Sequence, residues 1–147
     1  MRKAGIEPVS ALISLRQAQT IKRQEACEEC LCVWEAGCHV PFEIKRAYHI
    51  GGVEAGIVRG HHAHKSLEQI LLCPYGTIEV TLDDGTLKES VLLDRPDKGL
   101  YVGPAQWRTM KWIVTGSVLF VFASQHYDEA DYIRDYHAFL AFARKEQ

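Results

Sequence analysis

Between Phe42 and Ala123 the chain breaks into short strand-like segments separated by turn residues, and no long helical stretch comes between them. Phe42 to Ile50 ends at Gly51-Gly52, and Gln69 to Cys73 follows. From Gly76 to Leu82, Ile78, Val80 and Leu82 alternate with Thr77, Glu79 and Thr81, the period of a strand with one buried face. Asp84-Gly85 is a hairpin signal, with Thr86 to Leu93 returning beside its partner. Leu100 to Gly103, Gln106 to Thr115 and Ser117 to Ala123 continue the series. Parallel sheets need crossover helices between strands, and that spacing is missing here. Short strands with turns between them predict an all-β sandwich or barrel.

One helix is expected at the end. Asp128 to Ala143 places Ala130, Tyr132, Ile133, Tyr136, Phe139, Leu140 and Ala143 at steps of three and four. Acidic residues at its start and Arg144-Lys145 at its end suit the helix dipole. With 147 residues and no linker or repeat, the chain reads as a single domain, 1–147. A hydrophobic share of 47% and a charged share of 24% are those of a globular protein. Its apolar runs are too short to span a bilayer, so no membrane association is expected. Met1 to Ser10 carries no secretion signal, and the expected location is cytoplasmic. A net charge of −2 without a basic run argues against a nucleic acid polymer as partner. Five cysteines, an odd number, argue against a disulfide framework. Cys27, Cys30, Cys32 and Cys38 lack the second C-x2-C of a zinc ribbon, so they read as reduced thiols packed along a strand.

The chemistry-bearing segment is Arg59-Gly-His-His62-Ala-His64-Lys65. On a strand His62 and His64 point to the same side, where two imidazoles can bind a metal or move protons. Gly56, His62, His64, position 69 and Gly76 resemble the first motif of the cupin superfamily, which implies a cupin jelly-roll β-barrel, and the C-terminal α-helix read above is expected to pack on it or on a second subunit. The motif's acid is Gln69 here, and Trp107 falls where the second motif would supply a histidine. An amide is a weak ligand and an indole nitrogen only donates, so no metal and no cofactor are expected.

Five stretches narrow the resemblance: Pro41 to Tyr48, Arg59 to Lys65, Leu82 to Gly85, Lys98 to Tyr101 and Tyr127 to Arg134. Together they resemble the sugar 3,4-ketoisomerases, whose C-terminal WxcM-like domains act on dTDP-4-keto-6-deoxyglucose. The resemblance implies an isomerase that moves the ketone from C4 to C3 of a dTDP-linked 4-keto-6-deoxyhexose in deoxysugar biosynthesis, the 3-keto product being a usual precursor of 3-amino sugars. It implies His62 as base at carbon and His64 as proton shuttle between oxygens, with these two roles interchangeable, and Tyr48 as phenolic helper. For substrate binding the expected residues are Arg59, Lys65, Gln69, Arg46, Tyr101, Trp107 and Arg108. A 3,5-epimerase of similar sugars and a non-catalytic nucleotide-sugar-binding cupin are the alternatives. A homodimer is expected. The resemblance runs from about Val40 to Leu140, leaving 1–22 as an extension without an assigned role.

Overall fold

The computed structural model describes residues 12–22 and 30–147. In chain order they form β1 (Ser14–Gln17), β2 (Gln19–Lys22), β3 (Cys30–Val33), β4 (Arg46–Ile50), β5 (Val58–His64), β6 (Gln69–Tyr75), β7 (Ile78–Asp83), β8 (Lys88–Leu93), β9 (Lys98–Val102), β10 (Trp107–Trp112), β11 (Val118–Ala123), β12 (Tyr132–Ile133) and α1 (Tyr136–Glu146). One five-stranded sheet runs β1-β9-β6-β11-β4, a second runs β12-β5-β10-β7-β8, and β2 and β3 pair with each other. Within all three sheets the neighbours are antiparallel. The result is the expected all-β cupin-type jelly roll with its C-terminal helix.

Local chemistry explains the turns. Between β7 and β8 the Asp84 carboxylate accepts the N–H groups of Thr86 at 2.8 Å and Leu87 at 2.7 Å, while Gly85 takes a φ of 92°. Strands β7 and β8 then pair from Ile78↔Leu93 to Asp83↔Lys88. The first predicted strand is shorter than expected. Pairing begins at Arg46, and Phe42 and Ile44 instead pack against Ile70 and Leu72 on the outside of the first sheet. Within the N-terminal extension, Ser14–Gln17 pairs with β9 and so supplies an edge strand. Cys32 lies in β3 and Cys73 is buried in β6, but Cys38 is exposed in a turn, so it does not pack along a strand. Cys27 lies outside the described residues.

The main core lies between the sheets and includes Leu71, Cys73, Ile78, Val80, Leu82, Leu100, Trp112 and Val121. Each aliphatic side chain removed from water here contributes about 1.5–3 kcal/mol. The Trp112 indole N–H donates to the Ser117 carbonyl at 2.7 Å, which lets that ring be fully buried.

The terminal helix differs from expectation. It starts at Tyr136, with Asp135 as its N-cap accepting the Ala138 N–H at 2.8 Å. Phe139 and Ala143 from its apolar stripe are buried against Ala63 and Ile133. The preceding Asp128–Ile133 is a single 3₁₀ turn followed by β12, which pairs Tyr132↔His64 and Ile133↔Ala63. Alternate residues of β12 thereby meet the two faces of β5, a placement that a continuous helix would forbid.

Candidate active site

One end of the space between the sheets is polar. Inner positions along β6 run Gln69, Leu71, Cys73, and those along β10 run Arg108, Met110, Trp112. Facing these polar ends are Tyr48 on β4 and His62 and His64 on β5, with Tyr132 on β12.

A bulge sets the direction of the histidines. The β5–β10 register passes from Arg59↔Met110 and Gly60↔Thr109 to His62↔Arg108, leaving His61 without an opposite number. Gly60 has a φ of 97° and His61 one of 55°. A β-carbon on Gly60 would lie 2.8 Å from the Arg108 carbonyl oxygen, so the close approach also requires glycine. The extra residue resets the alternation. Arg59 therefore shares a face with His62 rather than opposing it, although it stays exposed.

Arg108 is 1% exposed and carries the site's buried positive charge. It donates to Gln69 Oε1, and its Nη2 donates to the Gln106 carbonyl at 2.8 Å. Among the described residues no carboxylate forms an ion pair with it. Burial pushes its pKa down to about 10, so it remains a cation at neutral pH. Gln69, with its oxygen taken by Arg108, donates from Nε2 to the Tyr48 hydroxyl at 3.1 Å. The phenol keeps its own proton free to donate. Burial first, then nearby Tyr132, raises its pKa above the usual value, against Gln69, Arg108 and Arg46.

The His62 and His64 rings meet edge-on with centroids 5.0 Å apart, and Tyr132 lies 5.0 Å from the first and 4.3 Å from the second. Burial, followed by the Arg108 charge, lowers the pKa of His62 to about 4. Burial, then Arg108 and His62, also lowers that of His64, against the pull of Asp131. Both imidazoles are neutral at pH 7, the form that accepts a proton. His64 Nδ1 lies 3.1 Å from Asp131 Oδ2. Asp131 also accepts the Ser66 N–H at 2.9 Å, the Ser66 hydroxyl at 2.7 Å and the Leu67 N–H at 3.2 Å. Burial opposes ionisation of that carboxyl, but the Ser66 and Leu67 donors outweigh it and hold its pKa below the usual range.

Buried side-chain atoms without a hydrogen-bond partner also mark this end. Among the described residues they are Trp34 Nε1, Arg46 Nε, His64 Nε2 and Arg108 Nε. Three of the four belong to this cluster, and a group of unmet polar atoms is what a ligand site presents when empty of protein contacts. Arg46 stacks over Tyr48 and over Tyr127 at 5.4 and 5.7 Å. Arg134 lies 4.2 Å from the Tyr132 ring and is held by Glu129 at 2.8 Å.

Of the sequence-predicted site residues, His62, His64, Tyr48, Gln69, Arg46 and Arg108 come together. Three do not. Trp107 pairs with Asp83 on the outer face of the second sheet and packs on Tyr136 and Phe139, with centroids 5.2 and 5.6 Å away. Tyr101 belongs to the apolar cluster outside the first sheet, with Arg16 over its ring at 5.9 Å. Lys65 follows His64 with opposite parity and is exposed, so only its backbone N–H reaches the Asp131 carbonyl. Asp131 and Tyr132 are site residues that sequence spacing misses, because it runs a continuous helix through them. Asp135 as an N-cap residue within that stretch is the signal available in the chain. Among the described residues no three His, Cys, Asp or Glu side chains are grouped to hold a metal ion, and no helix is long and apolar enough to cross a membrane.

Comparison with known proteins gives a consistent picture. Residues 11–144 match the family described as FdtA: WxcM-like, C-terminal, so the likeness extends into the N-terminal region beyond Val40. The TDP-4-oxo-6-deoxy-alpha-D-glucose-3,4-oxoisomerase of Aneurinibacillus thermoaerophilus is 46% identical over 111 residues, 76% of this chain and 80% of that protein. A variant of the 3,4-ketoisomerase QdtA from Thermoanaerobacterium thermosaccharolyticum, solved in complex with TDP-4-keto-6-deoxyglucose, superimposes with a TM-score of 0.86 at 36% identity, covering 93% of this chain and 97% of its own. The rmlC epimerase of Mycobacterium tuberculosis gives a TM-score of 0.68 at 16% identity, with 86% and 70% covered, and shares the fold alone.

Proposed function

Because the chain belongs to the FdtA family of WxcM-like, C-terminal domains and is a sugar 3,4-ketoisomerase, we propose that its substrate is dTDP-4-keto-6-deoxy-D-glucose and that histidine acid/base catalysis through an enediol, with no metal step, makes the 3-keto isomer. The observation that carries this reading is the meeting of two neutral imidazoles and a protonated phenol around a buried guanidinium with no carboxylate partner among the described residues.

His62 removes the proton on C3, and the electron pair moves onto the C4 oxygen. Developing negative charge there is met by the Tyr48 hydroxyl and the Arg108 cation, groups already held in place before substrate arrives. His64 accepts the proton of the C3 hydroxyl and returns it to the C4 oxygen or its equivalent in the enediol. The proton held on His62, which exchanges with solvent, is then delivered to C4 and leaves the ketone at C3, so one C–H bond breaks, one forms and no redox partner is consumed. Arg108 is too deeply buried to meet a diphosphate at the mouth. Arg46 and Arg59 are the cations for that role, and the added anionic charge raises the basicity of both imidazoles. Gln69, which stands at the cupin acid position, has its amide committed to Arg108 and Tyr48, which argues for proton chemistry rather than metal ligation.

The product is a 3-keto-6-deoxyhexose nucleotide suited to later amination. The β2–β3 hairpin, which pairs only with itself among the described residues and exposes Leu31, supports the expected homodimer. Light scattering at micromolar concentration tests it, and a monomeric mass removes it.

NMR of the protein with dTDP-4-keto-6-deoxyglucose in deuterated water tests the reaction. Deuterium at C4 of a 3-keto product is expected. Exchange at C5 without a 3-keto product overturns the proposal in favour of epimerisation, and binding without exchange in favour of a non-catalytic sugar-binding cupin.

A further inference from the structure

Asp131 is not needed to write the reaction above, yet it touches one of the two imidazoles that perform it. Its surroundings fix its charge. Oδ1 accepts the Ser66 N–H and hydroxyl, and Oδ2 accepts the Leu67 N–H. Backbone N–H groups can only donate, so both oxygens are acceptors, and three donors on one carboxyl favour its anion. Oδ2 has a remaining lone pair directed at His64 Nδ1, 3.1 Å away. A lone pair on that nitrogen would face the carboxylate with no proton between them, so Nδ1 must carry the hydrogen. In a neutral ring, Nε2 is then unprotonated. It is also buried and has no partner among the described residues.

We infer that Asp131 is a positioning residue that fixes the proton of His64 on Nδ1 and so commits the Nε2 lone pair to the substrate. This rests on the proposed keto shift for its consequence but not for its geometry. A ring held this way enters the cycle as a proton acceptor. The imidazolium that forms when Nε2 takes up the hydroxyl proton lies beside a carboxylate, so it is held until it delivers that proton to the second oxygen.

The fold anchors the pair from several directions. The Asp131 carbonyl accepts the Lys65 N–H at 2.9 Å, so main chain and side chain of one residue both hold 64–67. Pairing of Tyr132 with His64 fixes the register, and Ile133 is buried with Ala63 and Phe139 behind it. The charged and titratable groups acting on His64 are Arg108, His62 and Asp131, and Tyr132 packs on its ring. Among them only Asp131 lies within hydrogen-bond distance of Nδ1.

The test is long-range ¹H–¹⁵N NMR on the ¹⁵N-histidine-labelled protein without substrate, with His64 assigned by a His64→Gln variant. A protonated Nδ1 and an unprotonated Nε2 are expected at pH 7. Protonation on Nε2, or an even mixture, overturns the inference whether or not the keto shift is found. In Asp131→Asn an amide N–H₂ replaces one acceptor, so the Nδ1–H preference is expected to weaken. Its kcat should fall about 100-fold with KM changed less than about threefold, and Asp131→Glu should recover part of the loss. An Asn variant that keeps its fold by circular dichroism and its wild-type kcat also overturns the inference. If neither variant folds, the wild-type tautomer decides alone.

Discussion

The two ends of the sandwich are built from the same strands and obey opposite rules. At the closed end the inner positions are Cys73, Ile78 and Trp112, and the one polar atom of that ring is satisfied by Ser117. At the open end the inner positions are Gln69, Arg108, Tyr48, His62 and His64, with a cation that has no anion and nitrogens that have no partner among the described residues. A strand can therefore carry stability at one end and chemistry at the other, because two residues of travel move an inner position about 7 Å. Burying unmet polar groups costs free energy. The apolar end offsets that cost.

That contrast can be broken at either end. Trp112→Ala should lose about 3–5 kcal/mol of stability in urea unfolding, because it opens a cavity and leaves the Ser117 carbonyl unmet. A loss below about 1 kcal/mol would mean that the closed end does not carry the fold. His62→Asn should lower kcat about 10³-fold while the melting temperature stays within a few degrees. A small loss of activity would move the chemistry elsewhere.

Acid sharpens the comparison. His62 has a pKa of about 4 in the folded protein against an ordinary value of 6.5, so the unfolded chain binds the proton more readily. Stability should be full above about pH 6.5 and fall as pH drops, with His62 contributing a loss on the order of 3 kcal/mol by about pH 4 and His64, also lowered, continuing the fall below that. Titration of urea midpoints should show this loss in the wild type and less of it in His62→Asn. Equal loss in both would remove His62 as the source. The smallest effect is the most diagnostic. Arg108→Met should raise stability by about 1 kcal/mol, since it removes a buried charge that has no ion-pair partner among the described residues, and still slow turnover. A variant that is both less stable and fully active would reverse the roles given to the two ends.

The strand series and its hairpin were readable because a sheet with one buried face writes its period into the chain, as at Ile78, Val80 and Leu82. The motif residues His62 and His64 were readable for the same reason. Parity alone does not place Arg59, because a one-residue bulge is invisible to a count of alternation unless Gly60 is taken as a place where the backbone turns. It also left Trp107 and Tyr101 without a face, and both lie in packing outside the sheets. Asp131 and Tyr132 were hidden by a helical period. Local spacing of Ala130, Ile133 and Tyr136 satisfies that period, and only pairing with β5, a tertiary contact, draws the segment out into a strand.

The single unmatched residue at His61 behaves as a phase setting for everything downstream on its strand. Facing is a two-valued property, so shortening the chain by one residue there would turn both imidazole rings out to the helix side in a single step, while bringing Ala63 inward. No point substitution on β5 has that reach. Length at this corner, more than the identity of His61 itself, sets which way the imidazoles of β5 face.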